Sequence, residues 1–166
     1  MKKNIRSIIV LVFSLGVAFL GWKSYQTLNR KEKVKEATQR LPELNFQYVR
    51  RGNDVDNRSV IVNLFSPDCE HCQYMAKQIG SNRAAFSATA VVMITKASEV
   101  VTKKFNEAYK LNELPFLSIA IDTADDFYKT FATNIVPCFF IYNKEHKLVK
   151  LIKGETKIEN LIEAIK

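Results

Sequence analysis

The most constraining stretch is Ser59 to Phe65 (S-V-I-V-N-L-F), an apolar, β-branched run broken by Ser66-Pro67-Asp68 and followed at once by Cys69-Glu70-His71-Cys72. Such a run reads as a strand buried on both faces. A helix then begins at about Cys69, with Met75, Ala76 and Ile79 on its inner face. A doubly buried strand that feeds a helix belongs to α/β architectures, where helices cover both sides of a sheet.

Two thiols with two residues between them, at the start of a helix, can close a disulfide within one turn. Cys69 faces solvent and the unpaired N–H groups of the helix start, whose partial positive charge stabilises the attacking thiolate. Cys72 lies one turn in and resolves the mixed disulfide. Protonated His71 favours the Cys69 thiolate, while Asp68 and Glu70 oppose it, so the net direction stays open on sequence. A zinc site is the first alternative, but no second C-x-x-C or H-x-x-x-H completes four ligands, so no metal is expected. A structural disulfide is the second. The chemistry read from the pair needs no cofactor beyond the two thiols.

The rest of the chain repeats the alternation. Asn45–Val49 reads as a short strand, followed by a turn cluster at Arg51-Gly52-Asn53-Asp54. Ala90–Thr95 and Phe116–Ile121 are further strands. Between them Glu99–Leu111 has helical spacing at Val100, Val101, Phe105, Ala108 and Tyr109. Asp125–Ala132 is a short helix with Phe127, Phe131 and Ala132 on its apolar face. Cys138–Tyr142 and Leu148–Lys153 form a hairpin, Gly154 ends the second strand, and Thr156 caps a last helix with Ile158, Leu161, Ile162 and Ile165 in one stripe. A central mixed sheet flanked by helices is the expected fold.

Charge separates the N-terminus from this domain. The formal net charge is +8, yet residues 1–41 hold nine Lys and Arg against two Glu. The other residues hold sixteen basic and fifteen acidic side chains, so the folded part lacks the excess that nucleic acid demands. The basic residues flank an uncharged run, Ser7 to Trp22, preceded by Lys2, Lys3 and Arg6. That layout reads as a single-pass N-terminal anchor, with a cleaved signal peptide as the alternative. The expected division is residues 1–22 as the anchor, 23–41 as a charged juxtamembrane helix stopped by Pro42, and 42–166 as the catalytic domain. With three cysteines, two of them paired by spacing, the expected compartment is an oxidising one outside the cytoplasm, a periplasm where one exists.

Pro137 stands directly before the strand at Cys138, and its position alone leaves a cis and a trans Val136–Pro137 bond equally open. The order of elements, with C-x-x-C, X-Pro and Gly154 at their points, resembles the thioredoxin superfamily over residues 41–166. More narrowly it is similar to the membrane-anchored TlpA/ResA-type branch, which carries an extra strand–helix unit. Leu41-Pro42, Val60-Ile61-Val62-Asn63, Cys69, Cys72, Val136-Pro137 and Gly154 carry the resemblance. It implies a nucleophile at Cys69, a resolving thiol at Cys72, a cis Pro137 and substrate pairing at Val136. Asp68 departs from the pattern, standing where an aromatic residue is common, and Glu70-His71 mixes residues of reducing and oxidising members.

Cys138 reads as a small apolar filler, with a third thiol near the pair as the alternative. Asn63 reads as a local hydrogen-bonding residue, with a water relay beneath the cysteines as the alternative. The expected function is thiol–disulfide exchange, with protein thiols and disulfides as substrates, and a membrane protein as electron donor or acceptor. A thiol peroxidase, using Ser66 and either Arg58 or Arg83, is one alternative. A non-enzymatic thioredoxin-fold scaffold is the other.

Overall fold

The computed structural model describes residues 2–124, 126–131 and 133–166; the side chains of 2–13, 30, 31, 33–35 and 126–128 lie outside the description. The chain divides into two units, residues 1–36 and residues 37–166. The first is most of a single helix, α1 (Lys2–Thr38). Its described apolar side chains, among them Leu15, Phe19, Leu20 and Trp22, are exposed. Among the described residues no helix is long and apolar enough to cross a membrane. The expected anchor is therefore not seen in them, and the side chains of Ser7–Phe13 fall outside the description.

The second unit runs β1 (Gln47–Arg50), β2 (Ser59–Leu64), α2 (Glu70–Ser81), β3 (Thr89–Thr95), α3 (Glu99–Ala108), β4 (Leu117–Ile121), α4 (Asp126–Phe131), β5 (Cys138–Tyr142), β6 (Leu148–Lys153) and α5 (Ile158–Ala164). One six-stranded sheet has the order β1-β4-β3-β2-β5-β6. β3 pairs in parallel with β2 and β4, and the remaining pairs are antiparallel. The order of elements and the mixed sheet are those expected.

Every residue of β2, β3, β4 and β5 is buried, as continuous apolar strands require. Successive side chains alternate between two cores. Ile61, Phe65, Val91, Met93, Ile119, Phe139 and Ile141 face one side. There α2 supplies Cys72, Met75 and Ile79, α3 supplies Phe105, and α5 supplies Ile158 and Leu161. Val60, Val62, Leu64, Val92, Ile94, Phe140 and Tyr142 face the other side, under Phe131 of α4. Each large aliphatic side chain buried this way contributes about 1.5–3 kcal/mol. The two cores thus clamp β2, and with it the start of the turn that leads to Cys69.

Two local expectations change, in α3 and in α5. In α3, Val100 and Val101 point outward at 65% and 38% exposure, while Thr102 is buried. The Thr102 hydroxyl is satisfied at 2.9 Å by the Ser98 carbonyl, so a polar residue takes the inward position at little cost. In α5 the capping position is Lys157, and Thr156 instead accepts a hydrogen bond from the Asn160 side chain at 2.8 Å. In α4, Asp125 and Ala132 and the side chain of Phe127 lie outside the described residues, whereas Phe131 is buried as expected.

Candidate redox-active site

The turn between β2 and α2 is built by its own backbone. The Cys69 N–H donates to the Ser66 carbonyl at 3.2 Å, and the Cys69 carbonyl accepts from the Gln73 N–H at 3.0 Å. Gln73 also donates its side-chain amide to the Pro67 carbonyl at 2.8 Å. Cys69 is therefore the capping residue of α2, with extended backbone angles and its thiol at the helix's positive end.

The three cysteines are free thiols. Cys69 is half-buried, and Cys72 is fully buried one turn further along. Burial pushes the Cys72 thiol up to about 12, reinforced by its hydrogen bond to Cys69 and the charge there, against a lowering contact with the Ser66 backbone. Of the two thiols, Cys69 is the one open to solvent, and Cys72 lies closed behind it.

A second loop meets the first. In β2–β5 pairing Leu64 stands opposite Cys138, so the residues after β2 lie beside those before β5. The Cys69 Sγ reaches to 3.8 Å from the Val136 carbonyl oxygen. The Val136–Pro137 bond is cis. The Pro137 carbonyl accepts the Gly154 N–H at 2.8 Å, where Gly154 adopts a φ of +89° that favours glycine. A concave space of about 420 Å³ opens between the two loops, lined by Phe65, Ser66, Asp68, Lys96, Asn134 and Val136 among others.

The structure thus brings Cys69, Cys72, Asp68, Val136 and Pro137 together. Asp68, Glu70 and His71 are exposed. His71 Nδ1 lies 2.6 Å from a carboxylate oxygen of Glu155, a residue that spacing alone does not single out because it is 84 positions away. Cys138 goes elsewhere. It is fully buried in the core of Val62, Leu64 and Phe140, on the opposite sheet face from the core that holds Cys72. Burial pushes its thiol up to about 11, and nearby Lys153 partly offsets that. This is the environment of the filler, because a strand's side chains alternate and residue 138 points away from the pair.

Asn63 occupies the face beneath α2, between Met93 and Phe139 in the register. It is fully buried, and among the described residues neither atom of its amide has a hydrogen-bond partner. The arginines needed for peroxide chemistry are not at the thiol. Arg58 contacts the Ser87 carbonyl, and Arg83 stands in a short helix beyond the far end of α2. Among the described residues no group of three His, Cys, Asp or Glu side chains is placed to hold a metal ion.

Known proteins resemble this chain in sequence and in fold. Two curated proteins, each called thiol-disulfide oxidoreductase ResA, are 26% identical over 174 residues, spanning 100% of this chain and 98% of their own length. One is from Bacillus cereus and one from Bacillus thuringiensis subsp. konkukian. StoA from Bacillus subtilis superposes with a TM-score of 0.59 at 20% identity, covering 73% of this chain and 94% of that structure. A secreted Mycobacterium tuberculosis disulfide oxidoreductase homologous to DsbE superposes with a TM-score of 0.58 at 16% identity, covering 67% of this chain and 82% of that one. No family model matches the chain.

Proposed function

We infer that this thioredoxin-superfamily, ResA-like chain is a thiol–disulfide oxidoreductase that works through Cys69 and Cys72. The observation that carries the reading is the division between the two sulfurs. Cys69 is half-exposed beside the Val136 carbonyl, and Cys72 is buried behind it with its proton held.

The chemistry follows as two exchanges. The Cys69 thiolate attacks one sulfur of a substrate disulfide, forming a mixed disulfide and releasing the other sulfur as a thiolate that takes up a proton. Cys72 then loses its proton and attacks the Cys69 sulfur. The Cys69–Cys72 disulfide forms, and the second substrate sulfur leaves as a thiol. Two electrons pass from the enzyme dithiol to the substrate disulfide. During the first step an extended substrate segment lies along Val136 and Pro137, where the Val136 backbone borders the thiol.

The direction proposed is reduction of disulfides in exported proteins, with electrons supplied by a membrane carrier. Glu70 and Asp68 support it, since negative charge near Cys69 disfavours the thiolate and hence the reduced form. The proposed location is the outer side of a cell membrane, held by an N-terminal anchor. Its support is the uncharged run Ser7–Trp22 between basic flanks. A reporter fused after Lys166 that is active only in the cytoplasm would overturn that location.

The test of activity is the equilibrium of the full chain with a thiol buffer, read by alkylation of Cys69. A potential near about −270 mV supports a reductase, and one near about −120 mV makes the protein a disulfide donor. Absence of a reversible couple between the two cysteines removes the enzymatic reading altogether.

A further inference from the structure

Glu155 lies 84 residues from His71 in sequence, yet its carboxylate sits 2.6 Å from His71 Nδ1. His71 lies inside the C-x-x-C pair, in the first turn of α2, two residues from the attacking sulfur. Glu155 follows Gly154, whose N–H is fastened to the Pro137 carbonyl at 2.8 Å. The segment that anchors the loop beside Cys69 therefore also presents the carboxylate that holds the imidazole.

We propose that Glu155 is a positioning residue that sets the redox poise of the Cys69–Cys72 pair by holding His71 and offsetting its charge. The inference rests on the oxidoreductase reading and deepens it. An imidazolium near Cys69 stabilises the thiolate and hence the reduced form, which raises the potential. A carboxylate bonded to the ring works against this in either protonation state of the imidazole. With Glu155 the pair carries a charge of zero or minus one, and without it plus one or zero. For a ring held in either protonation state, removing the carboxylate makes the surroundings of Cys69 more positive, which favours the thiolate and with it the dithiol. The geometry also matters. A charge-assisted bond of this length fixes the ring toward Glu155, and an unbonded ring is free to turn toward the sulfur. As a stability element the pair counts for little, because both side chains are substantially exposed, at 69% and 41%. Its consequence is local to the site.

The test equilibrates the full chain with reduced and oxidised glutathione at pH 7. The enzyme disulfide and two glutathione thiols give the enzyme dithiol and one glutathione disulfide, so atoms and electrons balance. Glu155→Gln is expected to shift this equilibrium toward the dithiol by about three- to tenfold, which is about 15 to 30 mV. Glu155→Asp, which keeps the charge, is expected to stay within about twofold of the parent. In a His71→Phe background the carboxylate loses its tether and is screened by salt, and Glu155→Gln then shifts the equilibrium by less than about twofold. No shift in the presence of His71, or an equal shift in its absence, overturns the proposal. A parent chain with no reversible couple overturns the oxidoreductase reading instead, so the two failures are distinct.

Discussion

The thiol of Cys69 lies 3.8 Å from the carbonyl oxygen of Val136, a residue 67 positions further along the chain. The contact exists because β2 and β5 pair antiparallel in a register that sets Leu64 against Cys138. Everything proposed for the site depends on these two loops meeting at one end of the sheet.

The unequal burial of the two thiols predicts unequal roles. Cys72→Ser is expected to accumulate a mixed disulfide between Cys69 and a disulfide-bonded peptide, visible by mass spectrometry under non-reducing conditions. Cys69→Ser traps nothing. Either change lowers multiple-turnover reduction by roughly a hundredfold or more. A trapped adduct on Cys72 in the Cys69→Ser chain would reverse the assignment.

Cys138 should reveal itself through alkaline stability. Its folded thiol is pushed up to about 11, whereas an unfolded thiol ionises near about 8.5. A raised folded value means the stabilising contribution is complete below about pH 8.5 and is lost as pH rises toward 11. Cys138→Ala is expected to cost about 1–2 kcal/mol at pH 7, from the lost packing of a fully buried side chain. That deficit should narrow above about pH 9 and close or reverse by about pH 10.5 in urea titrations, because ionisation of residue 138 stabilises the unfolded state of the parent alone. A deficit constant across that range contradicts the assignment.

Asn63 carries two buried amide atoms without partners among the described residues. Leucine has a similar shape and no polar atoms to desolvate. Asn63→Leu is therefore expected to raise unfolding stability by about 1–2 kcal/mol. A drop of that size in the urea midpoint instead would mean that the amide holds a bound water.

Gly52 is packed against β4 without room for a side chain. A Cβ there would meet the Leu117 carbonyl oxygen at 2.7 Å and the Pro115 carbonyl oxygen at 2.8 Å. Both are backbone atoms, and the Asn53 N–H bonds the Pro115 carbonyl at 2.7 Å, so neither side gives way easily. Gly52→Ala is expected to cost about 2–4 kcal/mol, measured by thermal or urea unfolding.

Much was legible without a structure because it is local. The apolar run Ser59–Phe65, the break at Ser66-Pro67-Asp68 and the C-x-x-C spacing settle a strand, a turn and a helix from neighbouring residues alone. The periods of 2 and 3.6 likewise place Met75, Ile79, Ile158 and Leu161 inward. The same rule misled at Val100 and Val101. There the inward face is taken by Thr102, whose hydroxyl finds a partner within its own helix.

Relations across the sheet were visible only once the chain was folded. Residue order was enough to set Cys69 and Cys72 at a strand–helix junction, and a proline before the strand at Cys138. It could not say on which sheet face Cys138 lies, because that depends on the register between β5 and β2 rather than on any local pattern. Nor could it find Glu155, whose carboxylate reaches His71 only after β5, β6 and α2 have packed around one core. Chain-local geometry is carried by a few residues and their spacing, whereas long-range meetings are set by pairing and packing, which no short stretch of residues records.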